Sequence, residues 1–220
     1  MHPGGRARRG PGARNRIGLL VLPVTRRNLR GAVSFRKSQP EWNICGNAAP
    51  TMSEASRNQE KSLAQAAMAA ARRNGWCLAT AESCSAGMIA TLLSQVDGAA
   101  SCFHGGIVTY SKEMKHVLLG VPADLLAEKG AVCSEVAQAM ASGALVRTPA
   151  DAAIAITGVA GPEPDPDGNP VGLVFVAVAT PREVATRRLD LGRAPREEVL
   201  SRAIRAALEL FIENCRERAA

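Results

Sequence analysis

Residues 151–191 read DAAIAITGVAGPEPDPDGNPVGLVFVAVATPREVATRRLDL, and three short runs within that stretch decide the fold. Asp151 to Thr157 is a brief apolar run bounded by a loop of Gly, Pro and Asp that extends to Gly172, the mark of a buried strand. Leu173 to Thr180 is a second and more apolar one. Val184 to Leu191 alternates polar and apolar residues, as a strand at a sheet edge does. Only a tight Pro181-Arg182 turn separates these last two, so they are expected to form an antiparallel hairpin. The rest of the sheet must reach its strands through helices.

Outward from this stretch the pattern is helical and strand-like by turns. Glu60 to Asn74 places Leu63, Ala67, Met68 and Ala71 on one face and stops at Gly75, a normal helix terminator. Trp76 to Thr80 reads as a buried strand, Ser83 to Val96 as a helix, and Gly105 to Tyr110 as a second strand. Lys112 to Leu119, Pro122 to Lys129 and Ser134 to Arg147 read as helices, and Glu197 to Cys215 as a closing amphipathic helix. Strands alternating with helices predict an α/β fold, a three-layer α/β/α sandwich around a mixed, mostly parallel sheet.

The chain has 220 residues with a formal charge of +7, 46% apolar residues and only 3% aromatic ones. A core of Ala, Val, Leu and Ile favours close packing of helices on a sheet. Residues 1–51 hold ten Lys or Arg against one acid, Glu41. The remainder carries a slight excess of acid, so a polyanion-binding domain is not expected. Residues 1–55 are expected to be a disordered basic extension. They are either an arm or targeting segment, or translated sequence upstream of a start at Met52, with the folded domain at 56–220. The six cysteines show no CxxC spacing and do not cluster with His2, His104 or His116. Reduced thiols in the cytoplasm, no metal and no cofactor are expected. The run Ile17 to Val24 is too short to cross a membrane.

Four stretches are candidates for chemistry. Thr80-Ala81-Glu82-Ser83-Cys84-Ser85-Ala86-Gly87 lies at a strand-to-helix turn, where backbone N–H groups converge and can hold a phosphate or an oxyanion. Ser83 could be a nucleophile, or Ser83 or Ser85 could simply cap the helix. Thr109-Tyr110-Ser111-Lys112-Glu113-Met114-Lys115 contains the only tyrosine of the chain. Its Lys115 could act as base to a serine, since no Ser-His-Asp pattern is available, or could be a solvated helix residue. Thr157-Gly158-Val159-Ala160-Gly161 follows a buried strand and lets the backbone approach a ligand, without being a Walker or dinucleotide fingerprint. Gly192-Arg193-Ala194-Pro195-Arg196 offers an arginine at a helix start, which suits a phosphate contact or a plain surface turn.

Taken in order, TAESCSAG at 80–87, GGIVTYSKEMK at 105–115, GAVCSEVAQAMA at 130–141, ITGVAGPEPD at 156–165 and PVGLVFVAVA at 170–179 resemble the CinA C-terminal domain family. The likeness covers roughly residues 58–215. Active members of that family are nicotinamide-nucleotide amidohydrolases. The resemblance implies hydrolysis of nicotinamide mononucleotide to nicotinate mononucleotide and ammonia, without a metal. It implies Ser83 as nucleophile, with Lys115, assisted by Tyr110, moving the proton. Backbone N–H groups near Cys84 to Gly87 would hold the oxyanion. Glu82, Cys84, Ser85, Gly87, Thr109, Thr157, Gly158, Ala160, Gly161 and Arg196 would form the nucleotide site. The implied partner is a small nucleotide, with no nucleic acid and no membrane, and a homodimer is plausible.

The chain departs from the family pattern at several points. It has Ser85-Ala86-Gly87 where Thr-Gly-Gly is usual, Lys112 for Asn, Cys133 for Ser, an inserted Ala194-Pro195 and Leu200 in place of an Arg. Two other readings remain open on sequence alone: a catalytically silent nucleotide-binding module, and a serine amidase for another small amide.

Overall fold

The computed structural model describes residues 53–215; the expectations for residues 1–52 lie outside them. Twelve regular segments follow one another. They are α1 (Glu54–Arg73), β1 (Leu78–Glu82), α2 (Met88–Ser94), a 3₁₀ turn (Ala99–Ser101), β2 (Phe103–Val108), α3 (Lys112–Leu119), α4 (Ala123–Lys129), α5 (Ser134–Arg147), β3 (Ala152–Gly158), β4 (Leu173–Ala179), β5 (Val184–Asp190) and α6 (Arg196–Asn214). The five strands form one sheet in the order β2-β1-β3-β4-β5.

β1 pairs in parallel with β2 and β3, and β4 is antiparallel to both β3 and β5. Four of the five strands therefore point the same way, and the expected hairpin supplies the single reversed one. The sheet is mixed, with two parallel and two antiparallel pairings.

Alternation along β3 explains the layers. Ile154 and Ile156 face one way and pack with Met68, Leu208 and Phe211 of α1 and α6. Ala153 and Ala155 face the other way with Ala137, Met140, Ala141 and Ala144 of α5. Methyl groups on both partners let α5 lie close to the sheet, while the branched side chains fill the wider space beneath α1 and α6. α1 is tied to α6 by a buried contact in which the Ser201 hydroxyl donates to Glu60 Oε1 at 2.5 Å.

Three boundaries differ from the expectations, each for a local reason. α1 begins at Glu54 rather than Glu60, because the Ser53 hydroxyl caps it by accepting from the Ser56 N–H. The first strand lies two residues later than expected, at Leu78–Glu82, where its register with β2 and β3 is fixed. The following helix is only Met88–Ser94, because Ser83 to Gly87 is a turn. Neither Ser83 nor Ser85 caps that helix; Gly87 occupies the cap position with a φ of 98°.

Candidate active site

Parallel strands deliver their carboxyl ends to the same side of a sheet, and ligands of open α/β sheets bind there. β1 ends into Ser83, β2 into Thr109 to Lys115, β3 into Val159 to Gly161, and β5 into the approach to Arg196. All four candidate stretches thus meet at one end of the sheet.

The decisive contact is between the first two. Lys115 Nζ donates to Ser83 Oγ at 2.8 Å and to the Thr109 carbonyl at 2.9 Å. Lys115 is 1% exposed and Ser83 6% exposed, so the expectation of a solvated helix lysine does not hold. Burial pulls the Lys115 pKa down to about 8, with the neighbouring Cys84 opposing the shift. An amine in that range is partly neutral near pH 7 and can take a proton from a hydroxyl.

Glu82 builds the turn beneath this pair. It is fully buried, and both of its oxygens accept. Oε1 takes the Thr80 hydroxyl at 3.0 Å and the Ala90 N–H at 2.8 Å. Oε2 takes the Ser85 hydroxyl at 2.7 Å and the N–H groups of Gly87 and Ile89 at 2.9 and 3.1 Å. The carboxylate thus occupies the amino end of α2, which was expected to receive a ligand anion. Glu82, the Ser85 side chain and the Gly87 N–H are consequently committed to the turn rather than to substrate.

Among the described residues, the N–H groups of Cys84 and Ser85 donate to no other residue; the Cys84 N–H lies against its own sulfur. They are the donors of the turn that remain available to an oxyanion. Substituting Gln for Glu82 would set an NH₂ group against N–H or O–H donors. It is expected to cost about 3 kcal/mol of stability, read as a lower urea midpoint.

Ala86 has a φ of 51°, in the left-handed region where a side chain is disfavoured. The departure from glycine noted in the sequence therefore falls where glycine would relieve strain. Ala86→Gly is expected to stabilise the protein by about 1 kcal/mol, measured by chemical denaturation.

A cleft of about 550 Å³ opens beside this turn. Cys84, Tyr110, Lys112, Gly158, Ala160, Gly161 and Arg196 are among its lining residues; the buried Ser83 and Lys115 are not, although Cys84, next to Ser83 in the chain, is. Arg196 braces the wall, donating to the Gly161 carbonyl at 3.0 Å and the Cys84 carbonyl at 3.3 Å.

Tyr110 is 69% exposed at the cleft mouth, and its hydroxyl bonds to no described residue. The structure does not bring it onto the Ser83–Lys115 pair. Thr157 is buried and donates to the Ala131 carbonyl at 2.8 Å, so its hydroxyl fastens the wall. The buried Thr109 hydroxyl has no partner, and its backbone carbonyl is what holds Lys115. At Gly158 a Cβ would come within 2.7 Å of Val174 Cα, so glycine there is required by β4 rather than by a ligand.

Cys84 also lines the cleft, but burial pushes its thiol up to about 11, against the opposing influence of Lys115 and Arg196. A protonated, buried thiol is a poor nucleophile. Iodoacetamide at pH 7 is expected to leave Cys84 unmodified in the folded protein and to label it after unfolding, as read by peptide mass spectrometry.

The family model for the CinA C-terminal domain matches residues 60–215. The chain belongs to the CinA C-terminal domain family. A CinA-like protein of Geobacter sulfurreducens is 51% identical over 108 residues, 49% of this chain and 26% of that protein. A putative competence-damage inducible protein of Desulforudis audaxviator is 45% identical over 119 residues, 54% of this chain and 29% of that protein. The matched region thus spans under a third of the length of these curated relatives.

Among solved structures, the competence/damage inducible protein CihA of Agrobacterium tumefaciens superposes with a TM-score of 0.67 at 35% identity. That match covers 70% of this chain and 94% of that one. A CinA superfamily protein of Escherichia coli gives 0.69 at 31% identity, over 76% and 95% of the two chains. The mixed α/β sheet of this CinA domain is therefore that of its family.

Within the described residues, no group of three or more His, Cys, Asp or Glu could hold a metal. No described helix is long and apolar enough to cross a membrane. The five described cysteines are free. The cleft is also lined by Glu163, Asp165 and Asp167, in the loop that follows Gly161, and by Ala131 and Val132, in the stretch 130–141; no single side chain among these five stands out in the sequence as a site residue.

Proposed function

We propose that this CinA domain hydrolyses the carboxamide of a nicotinamide nucleotide, nicotinamide mononucleotide above all, with Ser83 as nucleophile and Lys115 as the group that moves the proton. The observation that carries this reading is the 2.8 Å contact between Lys115 Nζ and Ser83 Oγ. A serine hydroxyl attacks an amide only when a base within hydrogen-bond reach removes its proton. No described histidine makes a hydrogen bond to Ser83, whereas Lys115 does.

In the forward step the neutral Lys115 amine accepts the proton of Ser83 as Oγ bonds to the amide carbon. The carbonyl oxygen becomes an oxyanion received by the N–H groups of Cys84 and Ser85. Lys115 then returns the proton to the departing nitrogen, and ammonia leaves an ester on Ser83. Water, deprotonated by the same amine, cleaves that ester to the free carboxylate and restores the serine. One amide and one water thus give one carboxylic acid and one ammonia, and no metal is needed to balance the step.

Tyr110 makes no hydrogen bond to Ser83 or Lys115, so the proposed proton path runs through Lys115 alone. The Tyr110 ring lines the cleft mouth, where a flat heteroaromatic ring can pack against it. Incubation of the full chain with nicotinamide mononucleotide should release ammonia, with free nicotinamide turning over far more slowly because it lacks the ribose and phosphate. Failure of the purified, folded protein to release ammonia from the mononucleotide would overturn the reading.

A further inference from the structure

Two cationic side chains line the cleft, Lys112 and Arg196. Arg196 is stretched between the carbonyls of Gly161 and Cys84 and braces two walls. Lys112 is held differently: its ammonium donates to Asp167 Oδ1 at 2.7 Å, with both side chains about one-third exposed. The other Asp167 oxygen accepts from the Ala131 N–H at 3.3 Å.

An ammonium and a backbone N–H converging on one carboxylate is the donor set that also receives a phosphate. Gly130 leaves room for it, since a Cβ there would come within 2.6 Å of Asp167 Oδ2. We infer that Lys112 is the residue that reads the substrate's phosphate, and that the Asp167 carboxylate stands in the position the phosphate takes. This rests on the amidohydrolase reading and specifies how that site would select a phosphorylated substrate.

Charge in the cleft points the same way. Glu113, Glu163, Asp165 and Asp167 line it beside the two cations, so an incoming dianion would meet net repulsion. Exchange at Lys112 lowers that barrier, because the phosphate replaces one carboxylate and Asp167 moves out to solvent, where water screens it. The loop tip is built to survive the exchange. Asp165 accepts from the Asn169 N–H at 2.7 Å and from its side-chain amide at 2.8 Å, and the Gly168 N–H reaches the Asp165 carbonyl at 3.0 Å. Asp167 is therefore the projecting residue of a turn that closes on itself.

The test compares kcat/KM for nicotinamide mononucleotide with that for nicotinamide riboside, which lacks the phosphate. Lys112→Met is expected to lower the mononucleotide-to-riboside ratio about tenfold or more. Asp167→Asn is expected to raise the ratio severalfold, since the competing anion is neutralised while the shape is kept. A wall with no role in reading phosphate would move both substrates together. A ratio unmoved by either variant, or moved the same way by both, overturns the assignment. Calorimetry with ribose 5-phosphate separates this failure from failure of the amidase reading. If the protein releases no ammonia from either substrate, weaker ribose 5-phosphate binding by Lys112→Met still supports the site, and equal binding overturns it.

Discussion

Ser83→Ala is expected to lower ammonia release from nicotinamide mononucleotide by about three decades or more while the protein remains folded. The size of the loss follows from chemistry. Alanine has no oxygen to bond to the amide carbon, so the ester cannot form, and a water in its place must be ordered and deprotonated together. Folding should survive because what fixes this position is backbone. The Ser83 N–H donates to the Ile156 carbonyl at 3.1 Å, and its carbonyl accepts from the Ala86 N–H at 3.1 Å. The side chain makes one hydrogen bond, to Lys115, which keeps its second acceptor on Thr109.

Unfolding free energies of the two proteins should therefore differ by no more than about 1 kcal/mol. The N–H groups of Cys84 and Ser85 remain in place, so the variant should still bind the mononucleotide by calorimetry. Turnover near the wild-type rate would reject Ser83 as nucleophile.

The elements of the fold were legible where side-chain pattern and chain length agree. Leu173 to Thr180 reads as a strongly apolar strand, and the tight turn at Pro181-Arg182 leaves no space for a crossover before Val184. A strand-to-helix turn near 83–87 was legible, but its extent was not, because its shape depends on where one buried carboxylate points. Read as a string, Glu82 is an acid before a serine. In the structure it takes five donors and shortens α2 from its amino end.

The Ser83–Lys115 pair was legible only as a possibility, since 32 residues separate its members and only the parallel pairing of β1 with β2 brings their strand ends together. The Lys112–Asp167 pair spans 55 residues and joins α3 to a loop beyond a different strand. Neither local spacing nor periodicity encodes such a contact. Arg196 lines the cleft, and its nitrogens donate to the Gly161 and Cys84 carbonyls, contacts across 35 and 112 residues that no local pattern encodes.

Lys115 sets the second large effect, through pH. In the proposed step the amine must be neutral to accept the serine proton, and burial holds its pKa at about 8 instead of the usual 10.5. The active fraction of enzyme therefore grows as pH rises. Log kcat/KM should climb with a slope near one below pH 8 and level off above it. A hydroxyl activated by a carboxylate would give the limb several units lower.

Lys115→Arg keeps the positive charge but replaces the ammonium with a guanidinium that stays protonated throughout this range. It should lose about two to four decades of rate together with the rising limb. Lys115→Met should lose a comparable amount with no limb between pH 6 and 10. If either variant retained the wild-type pH profile, the titrating group would lie elsewhere and Lys115 would be a strut beneath Thr109. The coupling of a lost rate to a lost limb separates the two, because a residue that only supports the fold changes the height of a pH profile and leaves its midpoint where it was.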